Sequence, residues 1–249
     1  MIIDKVHTLM TELGLKGALT AFETQTSTAA YTELAFADRL EHLLIAERFA
    51  RDERQRRRLL AFAKLKYQAH AEDIRYDPAR GLDKAQIAEL VSCNWVMNRD
   101  NLIISGATGS GKTWLACALS TSAIRQGLSV RYLRTNVALE EMRFAHLDGS
   151  ISKLRASLTR VALVVLDDFG IAPLPATAKE DLFELLDARS EVGSTLVVGQ
   201  LAPQEWHAYL DAPHIADGIT DRLVQRAHRL ELHGGSLRER HAGLAGSTV

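Results

Sequence analysis

The sequence predicts an α/β fold, a parallel sheet flanked by helices, preceded by a small helical N-terminal domain. Three observations carry this. Beyond Asn94, short continuous apolar runs alternate with longer amphipathic segments, the pattern of strands buried on both faces and separated by helices. One of those runs leads directly into a glycine-rich loop and then a helical stretch. Before residue 80, by contrast, apolar residues recur only at helical spacing.

In the first part, Ile3, Val6, Leu9, Met10 and Leu13 share one helical stripe, and Gly14 interrupts it. Leu40, Leu43, Leu44 and Ala46 continue the period in a later helix. No large apolar residue falls between Phe49 and Leu59, where arginines crowd, so this stretch is either a solvated helix or a charged linker. Turn chemistry at Asp77-Pro78 and Arg80-Gly81 places the domain boundary between residues 80 and 81, giving a helical domain 1–80 and a second domain 81–249. In the second domain, Asn101 to Ser105, Ser129 to Leu133, Leu163 to Leu166 and Thr195 to Gly199 read as strands, and Trp114 to Arg125 as a helix.

Composition fits a globular chain: of 249 residues, 47% are hydrophobic and 24% charged, with 5 prolines, which excludes collagenous and disordered classes. Cys93 and Cys117 have no histidine or cysteine neighbours at ligand spacing, so neither a disulfide framework nor a zinc site is expected. The start of the chain carries Asp4 and Glu12 and lacks a secretory pattern, and no apolar run approaches the ~18–20 residues of a membrane span. A soluble cytoplasmic protein without a membrane partner is expected. The net charge of −1 conceals segregation: Arg48 to Lys66 holds eight basic residues against Asp52 and Glu53. That local excess suits an anionic partner.

Gly106, Ala107, Thr108, Gly109, Ser110, Gly111, Lys112 and Thr113 form a phosphate-loop motif between a strand and a helix. Its glycines permit successive N–H groups to point at phosphate oxygens, and the helix N-terminus adds its positive end. Lys112 is expected to reach the β and γ phosphates of ATP, and the Thr113 hydroxyl to ligate Mg²⁺. The strand Leu163 to Leu166 ends in Asp167 and Asp168, which delivers carboxylates where open α/β sheets bind ligands. Asp167 is expected to orient a magnesium-bound water. Asp168 either polarises the attacking water or caps the turn at Phe169-Gly170. Gln200 either bridges that water to the γ phosphate or starts a loop before Pro203. Arg222 is either a donor to phosphoryl charge or a solvated helix arginine. Within the basic stretch, Arg51, Arg54 and Arg58 fall on one helical stripe with Arg56 and Arg57 beside them, which suits sequence-independent contact with DNA phosphates or, alternatively, a solvated or protein-docking face.

The order of phosphate loop, Asp167-Asp168-Phe169-Gly170, Gln200-Leu201, Glu205-Trp206-His207, Asp221-Arg222-Leu223-Val224 and Gly235-Ser236-Leu237-Arg238, with Arg80-Gly81-Leu82-Asp83 and Cys93-Asn94-Trp95 ahead of it, resembles the AAA+ ATPases. Within them it resembles the IstB and DnaC group, on the side of the IstB-like helpers of insertion-sequence transposition. The resemblance covers nearly the whole chain and is weaker in the first 80 residues. It implies an AAA+ P-loop NTPase core, with Arg222 as an arginine finger serving the ATP of a neighbouring subunit, Arg238 as a second sensor and Gln200 as the first. Only 17 residues follow Leu232, so no C-terminal lid bundle is expected. Most AAA+ proteins carry Asp-Glu where this chain has Asp167-Asp168; the IstB and DnaC group shares the double aspartate, and the shorter second carboxylate implies slow hydrolysis. Gly199 stands where related chains often carry serine. The implied function is an ATP-dependent homo-oligomer that binds double-stranded DNA, selects or remodels target DNA and recruits or stimulates a transposase. The alternative is a DnaC-type helicase loader.

Overall fold

The computed structural model describes residues 2–235, so Arg238, with Ser236 and Leu237, lies outside the described residues. Contacts divide the chain into two compact units, Met1–Arg58 and Leu59–Val249.

The first unit holds α1 (Ile2–Glu12), α2 (Lys16–Ser27) and most of α3 (Phe36–Ala63). Gly14 breaks α1 from α2 with φ of +70°. Gly17 lets α2 approach α3 closely, since a Cβ there would lie 2.4 Å from the Ala46 carbonyl oxygen. The buried Glu47 fixes that approach: its Oε2 accepts from the Gly17 and Ala18 amides at 2.8 and 3.2 Å, near the start of α2, where the helix leaves its first N–H groups without intrahelical partners. Burial alone would raise the Glu47 pKa, but hydrogen bonds from Arg51 and those two amides outweigh it and hold the carboxyl below its ordinary value. The stretch from Phe49 to Leu59 is helical throughout, which resolves the choice between a solvated helix and a linker in favour of the helix.

The second unit contains α4 (Lys84–Val91), α5 (Asn94–Met97), β1 (Asn101–Gly106), α6 (Lys112–Arg125), β2 (Val130–Arg134), α7 (Thr135–Leu147), α8 (Ile151–Thr159), β3 (Leu163–Phe169), α9 (Ala176–Arg189), β4 (Ser194–Gly199), α10 (Trp206–Leu210), α11 (Pro213–Val224) and β5 (Ala227–Leu232). The strands form one parallel sheet in the order β2-β3-β4-β1-β5. Successive strand residues enter opposite cores. Leu102, Ile104, Leu163, Val165, Leu196 and Val198 pack with α4 and α6, while Ile103, Val164, Leu166 and Val197 pack with α7, α9, α10 and α11. The four expected strands are present. The fifth, β5, is an edge strand whose alternating pattern leaves Arg229 and Glu231 exposed. Among the described residues no helix follows it.

The expected boundary at 80/81 requires correction. Residues 59–80 belong to the second unit because Ala63, Ala69 and Ile74 are buried in its core, with Leu59, Leu60 and Leu65 packed against them. The turn at Asp77 to Leu82 is internal to that unit: Gly81, at φ of +80°, lies so close to β5 that a Cβ would meet the Glu231 carbonyl oxygen at 2.0 Å.

Candidate functional site

Parallel strands all end on one side of the sheet, and the ends of β1 and β3 carry the phosphate loop and the paired aspartates, separated by β4 alone. The loop conformation depends on glycine. Gly106, Gly109 and Gly111 have φ of +139°, +81° and +98°, and a Cβ on Gly106 would sit 2.2 Å from the Leu232 carbonyl oxygen. Among the described residues, the only amide of 107–111 that donates within the protein is that of Ser110, to Ala107 at 3.3 Å. The remaining N–H groups and the first turn of α6 form a concavity suited to anionic oxygens. Ser110 adds a buried hydroxyl with no partner.

Lys112 is buried at the base of the loop, and its Nζ donates to the Gly106 and Ala107 carbonyls at 2.7 and 2.8 Å. Burial lowers its pKa, against the opposing pull of Asp167 and Asp168. One residue on, Thr113 Oγ1 donates to Asp167 Oδ1 at 3.1 Å, which joins the two halves of the motif directly. Asp167 is buried, and Thr135 Oγ1 holds its main-chain oxygen at 2.9 Å. These donors, a buried ammonium and a carboxylate beside a hydroxyl fit a magnesium–triphosphate: Lys112 and the loop amides would hold phosphate, and Thr113 and Asp167 would hold the cation. When bound, magnesium would offset phosphate charge.

Asp168 lies at φ of +60°, an unusual conformation for a residue with a Cβ, where the β3–β4 register shifts between Leu166 and Phe169. Its carboxylate accepts no hydrogen bond among the described residues, so the turn-cap alternative finds no contact there. Phe169 anchors the strand end against Trp206 and Tyr209, with ring centroids 5.0 and 5.5 Å away. Gln200 follows β4, between the loop strand and the aspartate strand, and is exposed.

Arg222 is elsewhere. Asn101 Nδ2 donates to the Arg222 carbonyl at 2.8 Å, so this residue sits at the start of β1, whereas the phosphate loop leaves its end. At about 3.3 Å per residue the strand separates the two by roughly 16 Å. The Arg222 guanidinium pairs with Asp187 at 2.5 Å, donates to the Gly218 carbonyl at 3.1 Å and stands 4.7 Å from the Phe183 ring centroid. It borders an open groove of about 760 Å³ with His207, Asp217, Gln225 and Arg229.

Two contacts at the loop carry no expectation from sequence. Arg80 donates to the Ser110 carbonyl at 3.3 Å, and Tyr132 donates to Asp167 Oδ2 at 2.5 Å. Arg80 lies in a segment that resembles the family but to which the resemblance gives no role, and Tyr132 reads as an ordinary strand aromatic.

In α3 the basic candidates Arg51, Arg54, Arg56, Arg57 and Arg58 are exposed. Arg51 and Arg54 pair with Glu47 at 2.6 and 3.3 Å, and Arg56 and Arg57 with Glu53 at 2.7 and 2.8 Å. Arg57, followed by Arg56, holds the Glu53 carboxyl below its ordinary value. Arg58 alone of the five makes no hydrogen bond or ion pair among the described residues.

The chain is similar to known ATP-binding proteins. The family model of IstB-like ATP binding proteins matches residues 8–245. An insertion sequence ATP-binding protein of Sinorhizobium fredii is 40% identical over 236 residues, 95% of each chain. The insertion sequence IS1162 ATP-binding protein of Pseudomonas fluorescens is 43% identical over 198 residues, 78% of this chain and 86% of its own. Among solved structures, the DnaC helicase loader superposes with a TM-score of 0.59 at 16% identity, over 69% of this chain and all of that one. The replication initiator DnaA bound to AMPPCP and single-stranded DNA gives a TM-score of 0.57 at 19% identity, over 69% and 52%. At such identities these two show the fold alone, a parallel sheet covered by helices. No helix among the described residues is long and apolar enough to cross a membrane. The chain belongs to the IstB-like ATP-binding family of insertion sequences and is an AAA+ P-loop ATPase.

Proposed function

We propose that this chain is an ATP-dependent, double-stranded-DNA-binding homo-oligomer that selects or remodels target DNA and recruits or stimulates a transposase. The observation that carries the reading is the placement of Arg222 at the opposite end of β1 from the phosphate loop. An arginine roughly 16 Å of strand away from the phosphate loop is remote from the phosphates held there, so as a finger it serves the ATP of a neighbouring copy. Such a head-to-tail contact is heterologous and extends into a ring or filament. ATP binding and self-association then strengthen each other.

Within one protomer, the loop amides and Lys112 hold the phosphates, and Thr113 and Asp167 hold the cation. Asp168 accepts the hydrogen bond that orients the attacking water, and Gln200 serves as first sensor from the end of β4. Arg238 is proposed as second sensor; it lies outside the described residues. A single carboxylate of short reach at 168 suits slow turnover stimulated by DNA and assembly, so ATP acts chiefly as a switch. DNA contact is assigned to Arg51, Arg54, Arg56, Arg57 and Arg58.

Light scattering of the full chain with long duplex or single-stranded DNA, with and without ATP and magnesium, tests the reading. Large assemblies that need ATP, favour duplex and vanish in Lys112→Ala are expected. Preference for single strands with capture of a replicative helicase would replace it with the loader reading. Binding of ATP without any self-association would refute both.

A further inference from the structure

We propose that Tyr132 is a positioning residue of the cation site, its hydroxyl holding Asp167 Oδ2 so that Oδ1 is presented to Thr113 and to the metal. The inference rests on the magnesium–triphosphate reading above and extends it to a residue outside both nucleotide motifs.

The argument begins with register. Tyr132 of β2 is paired with Val165 of β3, and Asp167 lies two residues further along the same face. A diagonal neighbour of that kind is within reach of a long aromatic side chain. The phenol spans the gap and donates to Oδ2 at 2.5 Å while Thr113 donates to Oδ1 at 3.1 Å. The two oxygens of one buried carboxylate are therefore occupied by different donors, and the carboxylate plane has no freedom to turn.

The partners differ in what they can do. Thr113 belongs to the first turn of α6 beside the loop and is the hydroxyl that the motif assigns to the cation, so its bond to Oδ1 is exchangeable when the cation arrives. Tyr132 is buried within the sheet core among Leu163, Val165 and Cys117. Held in place by the surrounding core, the phenol keeps its bond to Oδ2 when the Thr113 bond is exchanged. Removal of the hydroxyl leaves Oδ2 buried with no donor and lets the carboxylate rotate away from the cation. Residues that orient a metal ligand typically govern about 10- to 100-fold in metal affinity.

A core residue whose only contribution is packing makes a different forecast, because Phe would replace Tyr with little consequence. Thr135 supplies an internal contrast: its hydroxyl holds the Asp167 main-chain oxygen and leaves the carboxylate untouched.

The test uses the full chain and Mn²⁺ as a probe that accepts the same oxygen donors as magnesium. Electron paramagnetic resonance measures Mn²⁺ bound to the protein–ADP complex, and ADP affinity is measured separately in chelator. For Tyr132→Phe the expected result is Mn²⁺ affinity lowered about tenfold with metal-free ADP affinity unchanged. For Thr135→Val a lowered melting temperature with wild-type Mn²⁺ affinity is expected. Wild-type Mn²⁺ affinity in Tyr132→Phe overturns the proposal. Should the Phe variant fail to fold, 3-fluorotyrosine at position 132 alone retains the hydroxyl; its fluorine resonance is expected to move when magnesium joins the ADP complex, and an unmoved resonance overturns the proposal equally. A wild-type chain that binds ADP and Mn²⁺ normally while Tyr132→Phe matches it sinks only the role of Tyr132. A wild-type chain that binds neither sinks the nucleotide reading as well.

Discussion

The nucleotide end of the sheet and the arginine-bearing half of α3 are both rich in charge, yet they use it in opposite ways. At the loop, Lys112 and Asp167 are buried, and each is fixed by partners that come from other elements: main-chain carbonyls for Lys112, and Thr113 of α6 and Tyr132 of β2 for Asp167. Along α3 the guanidiniums are exposed, and Arg51, Arg54, Arg56 and Arg57 all find their carboxylates within two helical turns on the same helix. Charge that is held across elements is committed to one geometry. Charge that is paired along a solvated helix is worth little energetically and remains available for exchange with another anion. The first kind makes a catalytic site, and the second makes an adaptable surface.

The sharpest break of that contrast is at the committed end. Lys112→Ala removes the ammonium that the loop is folded around, and nucleotide-dependent turnover is expected to fall at least about 10³-fold, read as phosphate release. Loss of less than tenfold would mean the loop does not carry the triphosphate. Next in size is Arg222→Ala, expected to lower turnover of the assembled protein about 10³-fold while the isolated protomer binds ATP as before. Because the finger is proposed to act between subunits, equal mixing of Arg222→Ala with Lys112→Ala restores an intact loop facing an intact finger at roughly a quarter of the contacts. Activity should reappear in the mixture, and its failure to do so would tell against action in trans.

The same contrast explains what was legible in the sequence. The loop and Asp167 could be read because backbone geometry fixes which residue types are allowed: glycine at positive φ, and a short carboxylate at a buried strand end. The three central strands, β1, β3 and β4, could be read because both of their faces are apolar, and the edge strand β2 through its buried Val130, Tyr132 and Leu133. β5 could not, since Arg229 and Glu231 interrupt an edge strand that has only one covered face. The boundary was misplaced because the segment 59–80 joins the second core through small or scattered residues, Ala63, Ala69 and Ile74, which give no periodic signal. Tyr132 was invisible for another reason: its hydroxyl acts across two strands, and no local pattern distinguishes it from a packing aromatic. In α3 the basic stretch from Arg48 to Lys66 is preceded directly by Glu47, the carboxylate that pairs Arg51 and Arg54 and secures α2, so its charge excess is smaller in the fold than along the sequence.

Glu47 is the exception within α3, a buried group committed across helices, and it should behave like one. Its folded pKa lies below the ordinary 4.5, so its contribution is complete at neutral pH and is lost as pH falls through the folded value, below that figure. Glu47→Gln is expected to lower the melting temperature of the helical unit by about 5 °C at pH 7 and to flatten its acid dependence, followed by circular dichroism. A variant that melts like wild type at pH 7 would show that the two amide bonds at the start of α2 are not worth their burial.

The smallest effect is the most informative about DNA. Glu53 neutralises Arg56 and Arg57 together, so Glu53→Gln releases two guanidiniums without adding a positive residue. If this face contacts phosphates, duplex affinity should rise a few-fold at moderate salt, and the dependence of log affinity on log salt should steepen by up to about 2, close to one per phosphate neutralised. Arg56→Glu with Arg57→Glu should shift both quantities the other way. The slope is the better readout, because a change in assembly alters affinity without altering the number of ions displaced per protomer. An unchanged slope in Glu53→Gln, with normal ATP binding, would move the DNA contact off α3 and leave its arginines as a solvated surface held by their own carboxylates.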